Sequence, residues 1–215
     1  TLLASMTTSI DACYNSEAYL ELLDAAIHET DPKMVKSVDL SGNRISSSTA
    51  VDLAWKYIAV FSNLETLDIK ANQMGPEGWN ALYETLTSKC PRLAYLDISE
   101  NGVLDESCYT LAKLLVEIPS LRHLSVVTNG LSPRGIPTLC DGLRVAANLE
   151  ELMLDYNMLG DEGCLFLCDA LGAANALPHL RKLGLSDNAI GDRGVTGLVR
   201  AVVLNPSSRV SSLNL

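Results

Sequence analysis

Aromatic side chains are scarce in this chain, making up 5% of its 215 residues, while hydrophobic residues make up 47%. A core here must be aliphatic, and there is enough apolar material for a packed globular fold. Positive charge is also in short supply: 16 Lys and Arg against 26 Asp and Glu leave a net charge of −10. That balance argues against nucleic acid, whose binding needs a basic face, and against docking on anionic lipid. It is compatible with a protein partner that has a basic surface. No run approaches the length of a membrane-spanning helix, and the opening TLLASM is too short for the apolar segment of a signal peptide. The cysteines (Cys13, Cys90, Cys108, Cys140, Cys164 and Cys168) form no CxxC pair and have no histidine at ligand spacing, so neither a metal site nor a cofactor is expected. No Asn-x-Ser/Thr acceptor occurs, and Asn205 is followed by proline. The expected setting is reducing, intracellular and cytoplasmic, without disulfides and with cytoskeletal or nuclear association left open.

What the chain has in abundance is repetition. VKSVDLSGN, LETLDIKAN, LAYLDISEN, LRHLSVVTN, LEELMLDYN and LRKLGLSDN end at Asn43, Asn72, Asn101, Asn129, Asn157 and Asn188, at spacings of 29, 29, 28, 28 and 31. A seventh copy opens as VSSLNL at Val210. Each copy follows L-x-x-L-x-L-x-x-N-x-L with aliphatic substitutions. The L-x-L centre alternates with period two, which predicts a strand. Apolar residues ten after the asparagine (Leu53, Leu82, Leu111, Leu139, Leu167, Leu198) and fourteen after it (Tyr57, Leu86, Leu115, Leu143, Leu171, Val202) are one helical turn apart and share a helix face. Between strand and helix lie GPEG, SPRG, GDEG and GDRG, turn residues with acids suited to a first helical turn. These strings recur once per repeat, so the repeat explains them, and no phosphate-loop motif is present. One such unit cannot bury its own apolar face, whereas stacked units bury a continuous one.

The frame over residues 35–215 resembles the leucine-rich repeat family, in its long, helix-bearing, ribonuclease-inhibitor-like form. The resemblance implies an α/β, right-handed leucine-rich-repeat solenoid (horseshoe), with a parallel concave sheet and convex helices. It also implies that Asn43, Asn72, Asn101, Asn129, Asn157 and Asn188 form a structural ladder serving the backbone of neighbouring turns. Residues 1–34 do not fit the frame. SEAYLELLDAAIHETD predicts a helix with Ser16 as N-cap, Leu20, Leu23 and Ile27 on one stripe and Pro32 ending it, and it is read as an N-terminal cap. Four of the cysteines, Cys108, Cys140, Cys164 and Cys168, fall on the inward helix stripe and read as small buried hydrophobes.

The frame residues of each strand point inward, so the residues between them face outward. Three columns result: Ser37, Thr66, Tyr95, His123, Glu151, Lys182; then Asp39, Asp68, Asp97, Ser125, Met153, Gly184; then Ser41, Lys70, Ser99, Val127, Asp155, Ser186. The residues at the strand exits include Glu100 and Tyr156. Asp39, Asp68 and Asp97 form an acidic stripe, which Lys70 partly neutralises. Tyr95, Glu100, His123, Val127, Met153, Asp155 and Tyr156 form the candidate partner-binding cluster, because exposed aromatic and Met side chains gathered on one face suit the centre of an interface. No nucleophile, base and orienting acid converge, so no catalytic residues are expected. The reading is a non-enzymatic protein–protein interaction scaffold. The alternative is a GTPase activator: SGNRISSSTAVDLAWKYIA is similar to an early repeat of the Ran GTPase-activating protein family. That family's functional arginine lies in a longer strand-to-helix loop, which has no counterpart here, and Arg44 is not in that context.

Overall fold

The computed structural model describes residues 9–14, 18–173 and 176–215. Among them, strands β1 (Ser9–Asp11), β2 (Ser37–Asp39), β3 (Thr66–Asp68), β4 (Tyr95–Asp97), β5 (His123–Ser125), β6 (Glu151–Met153), β7 (Lys182–Gly184) and β8 (Ser212–Asn214) form one sheet. All pairings are parallel, and the strands lie in chain order. Helices α1 (Tyr19–Glu29), α2 (Ser47–Lys56), α3 (Gly75–Lys89), α4 (Cys108–Glu117), α5 (Ile136–Leu143), α6 (Gly160–Gly172) and α7 (Asp192–Leu198) carry the chain back between strands. Neighbours in sequence are neighbours in space, which makes the fold an α/β solenoid with a sheet face and a helix face.

The core lies between sheet and helices. Frame residues Leu67, Leu96, Leu124, Leu152 and Leu183 are sealed, as are the helix residues Leu53, Leu82, Leu111, Leu139, Leu167 and Leu198. Burying each such leucine contributes about 1.5–3 kcal/mol relative to exposure. Cys90, Cys108, Cys140, Cys164 and Cys168 pack among them as free thiols. Burial pushes the Cys90, Cys108 and Cys140 thiols up to about 12. Helices α4 and α5 approach closely because residue 142 is glycine: a Cβ there would stand 2.5 Å from the Ala112 carbonyl oxygen.

The asparagines form the ladder. Asn157 Oδ1 accepts from the backbone N–H of Asn129 and of Leu131, both at 3.0 Å. Its amide donates to the carbonyls of Val126 at 3.0 Å and Leu154 at 2.9 Å. Asn72 likewise accepts from Asn43 and Ile45, and donates to the Leu40 and Ile69 carbonyls. A side chain with both donors and an acceptor thus satisfies buried backbone groups of two successive turns.

Three features depart from the sequence reading. The N-terminal segment supplies a strand as well as a helix, since Ser9, Ile10 and Asp11 pair in register with Ser37, Val38 and Asp39. The inward stripe of α1 is Tyr19, Leu23 and Ala26, while Leu20 is exposed. The i, i+4, i+7 set places Tyr19 on the buried face and turns Leu20 away from it. Ser16, the expected N-cap, lies outside the described residues. Finally, Asp161 serves the next repeat as well as the first turn of its own helix: its Oδ1 accepts from the N–H groups of Gly191 and Gly194, each at 2.8 Å.

Candidate functional site

Uniform register sets the outward side chains in columns across the sheet face. In the first, Tyr95, His123, Glu151 and Lys182 are neighbours on β4 to β7. The Tyr95 and His123 rings are stacked, with centroids 4.2 Å apart and planes at 9°. Such a pair contributes about 0.5–1.5 kcal/mol beyond its buried area. His123 Nδ1 lies 3.1 Å from Glu151 Oε2, and that same oxygen is 3.6 Å from Lys182 Nζ. Burial holds the His123 imidazole below its usual range, against the opposing pull of Glu151. The Tyr95 hydroxyl is raised, first by burial and then by Asp97. Tyr95 is thus half-buried and engaged with its neighbour, and His123 is held in a row of charges.

The second column explains the acidic stripe. It has four members, because β1 adds Asp11 beside Asp39. Each carboxylate accepts from the backbone N–H two residues on: Asp11 from Cys13 at 3.3 Å, Asp39 from Ser41 at 2.9 Å, Asp68 from Lys70 at 3.1 Å and Asp97 from Ser99 at 2.9 Å. These aspartates therefore close the strand exits as well as charging the face. Lys70 Nζ sits 2.7 Å from Asp68 Oδ2, as the sequence suggested. Burial nonetheless pushes the Asp68 carboxyl above its ordinary value, with Lys70 opposing. Among the described residues, the ligand atoms of Asp11, Cys13 and Asp39 also lie within 4.8 Å of one another. Spacing along the chain hides this grouping, because Asp39 comes from the neighbouring strand.

Beyond β4 the aspartates give way to Ser125, Met153 and Gly184, and the strand exits are closed differently. The Val127 N–H donates to Ser99 Oγ at 3.2 Å, and that hydroxyl pairs with Ser125 Oγ at 2.7 Å. The Ser186 N–H donates to Asp155 Oδ1 at 2.9 Å, reaching across from the adjacent strand. Asp155, predicted as a contact residue on the open face, is buried at 7% exposure. The reason is the missing side chain at Gly184. A Cβ there would stand 2.0 Å from Asp155 Oδ2 and 2.5 Å from Met153 Cε, so both side chains fold over that glycine.

At the strand exits, Ala71, Glu100, Thr128, Tyr156 and Asp187 all have left-handed φ, between 53° and 55°. The conformation throws each side chain outward at the rim. Tyr156 is 59% exposed, and the adjacent carboxylate of Asp187 raises its hydroxyl. Glu100 is exposed, while Val127 and Met153 are half-buried. Met158, which the sequence reading missed, is 61% exposed beside the ladder asparagine. The signal was present: that position holds Arg44, Gln73, Gly102, Gly130 and Ala189 in the other repeats, so a large apolar residue is anomalous there. The structure thus joins Tyr95 to His123 and Met153 to Asp155, with Tyr156 and Met158 at the exit rim.

Among the described residues, no helix is long and apolar enough to cross a membrane. Residues 62–82, 145–168 and 176–199 match a family model described as a leucine-rich repeat. No curated protein sequence matches the chain. Among solved structures, the Arabidopsis receptor kinase HAESA, in complex with the peptide hormone IDA and the co-receptor SERK1, is similar at a TM-score of 0.47 and 18% identity. The similarity covers 94% of this chain, which spans 30% of the receptor chain. A Bacteroides fragilis protein is similar at a TM-score of 0.47 and 14% identity, over 97% of this chain and 74% of that one.

Proposed function

We propose that this leucine-rich-repeat chain is a non-catalytic scaffold that binds a protein partner on the concave face of its sheet, over β4 to β7. The observation that carries the reading is the change in that face along the solenoid. From β1 to β4 it is a column of carboxylates that close their own strand exits. From β6 onward it presents the exposed Tyr156 and the half-buried Met153 beside charged groups. An aromatic and a thioether side chain set close together among polar groups is how binding energy is usually concentrated. The net charge of −10 favours a partner with a basic surface. The free thiols fit a reducing, intracellular setting.

The test is affinity capture with the wild-type chain, with Met153→Ala/Tyr156→Ala, and with a helix-face control, Tyr109→Ala, whose side chain is 59% exposed. The expected result is that partners retained by the wild type and by the control are lost from the double variant, whose circular dichroism is unchanged. Undiminished capture by a folded double variant refutes the assignment of the face.

A further inference from the structure

Asp155 carries more than its bond to Ser186. Its Oδ1 accepts from the Ser186 N–H at 2.9 Å, while its Oδ2 is buried and has no hydrogen-bond partner among the described residues. The side chain of which it is part is on the sheet face, in the space left by Gly184, and the Met153 methyl shares that space. A buried carboxylate oxygen without a donor is costly to keep, and a cation that supplies N–H donors recovers that cost. The cations already on this face are engaged elsewhere: Lys70 with Asp68 and Lys182 with Glu151. The exposed Tyr156 follows Asp155 in the chain, and its hydroxyl lies near the Asp187 carboxylate, adding an aromatic ring and negative charge at this end of the sheet. Met153, which shares the space over Gly184, can yield, since an unbranched thioether changes rotamer cheaply.

We propose that Asp155 Oδ2 is the anchoring point for a basic side chain of the protein partner, an arginine or lysine, which enters by displacing the Met153 methyl group from over Gly184. The proposal rests on the concave-face reading and narrows it: the partner presents a projecting cation to the β6–β7 end of the sheet. Three features argue for that occupant rather than a neutral peptide: the unpaired buried oxygen, the Asp187 carboxylate beside Tyr156 and the overall charge of −10.

The experiment needs no identified partner. The full chain is labelled with ¹³C at its methionine methyl groups and titrated with N-acetyl-arginine amide. N-acetyl-citrulline amide serves as the neutral isostere and Ca²⁺ as the inorganic cation. The expected result is a saturable shift of the Met153 methyl with the arginine probe and none with citrulline. Affinity should fall about tenfold or more in Asp155→Asn, where an amide oxygen can still accept from Ser186. Gly184→Ala, which places a methyl group 2.0 Å from the present position of Oδ2 and displaces it, gives the same loss by a second route. The absence of a saturable arginine shift, an equal citrulline shift, an unchanged affinity in a folded Asp155→Asn, or a response to Ca²⁺ alone overturns the proposal. Because the titration uses no partner and tests Asp155 through the Asp155→Asn comparison, its failure leaves the capture result on Met153 and Tyr156 standing, and failure of capture leaves this titration standing.

Discussion

Removing the Asn157 side chain should cost more than removing that of Asn188, although both are ladder rungs. Asn157→Ala strips the partner from the Asn129 N–H, the Leu131 N–H and the Val126 carbonyl. The Leu154 carbonyl keeps a donor, since Asn188 also reaches it at 2.8 Å. Three buried backbone groups left unpaired, at about 1–3 kcal/mol each, put the loss at roughly 3–9 kcal/mol. That is comparable with the whole stability of an ordinary domain, about 5–15 kcal/mol. Asn188 Oδ1 accepts from Leu159 at 3.3 Å, a longer bond than either accepted by Asn157. The structure therefore predicts a smaller loss for Asn188→Ala, roughly half. Asn157→Asp separates the two functions of the amide, because a carboxylate still accepts from both N–H groups but no longer donates. Urea unfolding followed by circular dichroism measures all three. Equal losses below about 1 kcal/mol for both alanine variants would refute the ladder as a source of stability. The coupling is nearest-neighbour, so Asn157→Ala should also split the transition, with the repeats on its N-terminal side outlasting those beside the lesion.

Two further outcomes follow from particular contacts. Gly142→Ala would ordinarily favour a helix by about 1 kcal/mol. Here the added methyl meets Ala112 backbone, so calorimetry should show a net destabilisation of about 1–3 kcal/mol. Glu151→Gln should lower the His123 pKa further, because Glu151 pulls it upward against burial. The folded value lies below the unfolded one, so the unfolded chain binds the proton first. Stability should therefore fall as pH drops from about 6.5 toward the folded value, over a wider window in the variant. Ring titration by NMR and urea midpoints across that range measure both effects, and a raised His123 value in the variant contradicts the geometry.

Much of this was legible in the sequence because the repeat reports each position several times. A frame leucine misread once is corrected by its counterparts, so strands, register and outward columns followed from alternation and the buried helix stripe from helical spacing. The first strand was not legible, because its frame is eroded. SIDACYN holds Ala12 where the next unit has Leu40. The site was harder to read, since its character comes from contacts between strands. Asp155 reads as an outward acid, and only the absent side chain at Gly184, about thirty residues away, draws it inward. Tyr95 reads as an exposed anchor, and only His123 on the adjacent strand makes it one half of a stack.

The left-handed rim has a consequence for anyone redesigning this chain. Holding Ala71, Glu100, Thr128 and Tyr156 at φ near 54° costs each about 1 kcal/mol that glycine or asparagine would largely avoid. A consensus approach would replace them and gain thermal tolerance repeat by repeat. At position 156 the same exchange would erase an exposed ring on the proposed binding face. If the proposed face is the binding one, Tyr156 is where a stabilised version of the molecule and a competent one part ways, so thermostabilising substitutions at Ala71 and Thr128 should leave binding intact and one at 156 should not.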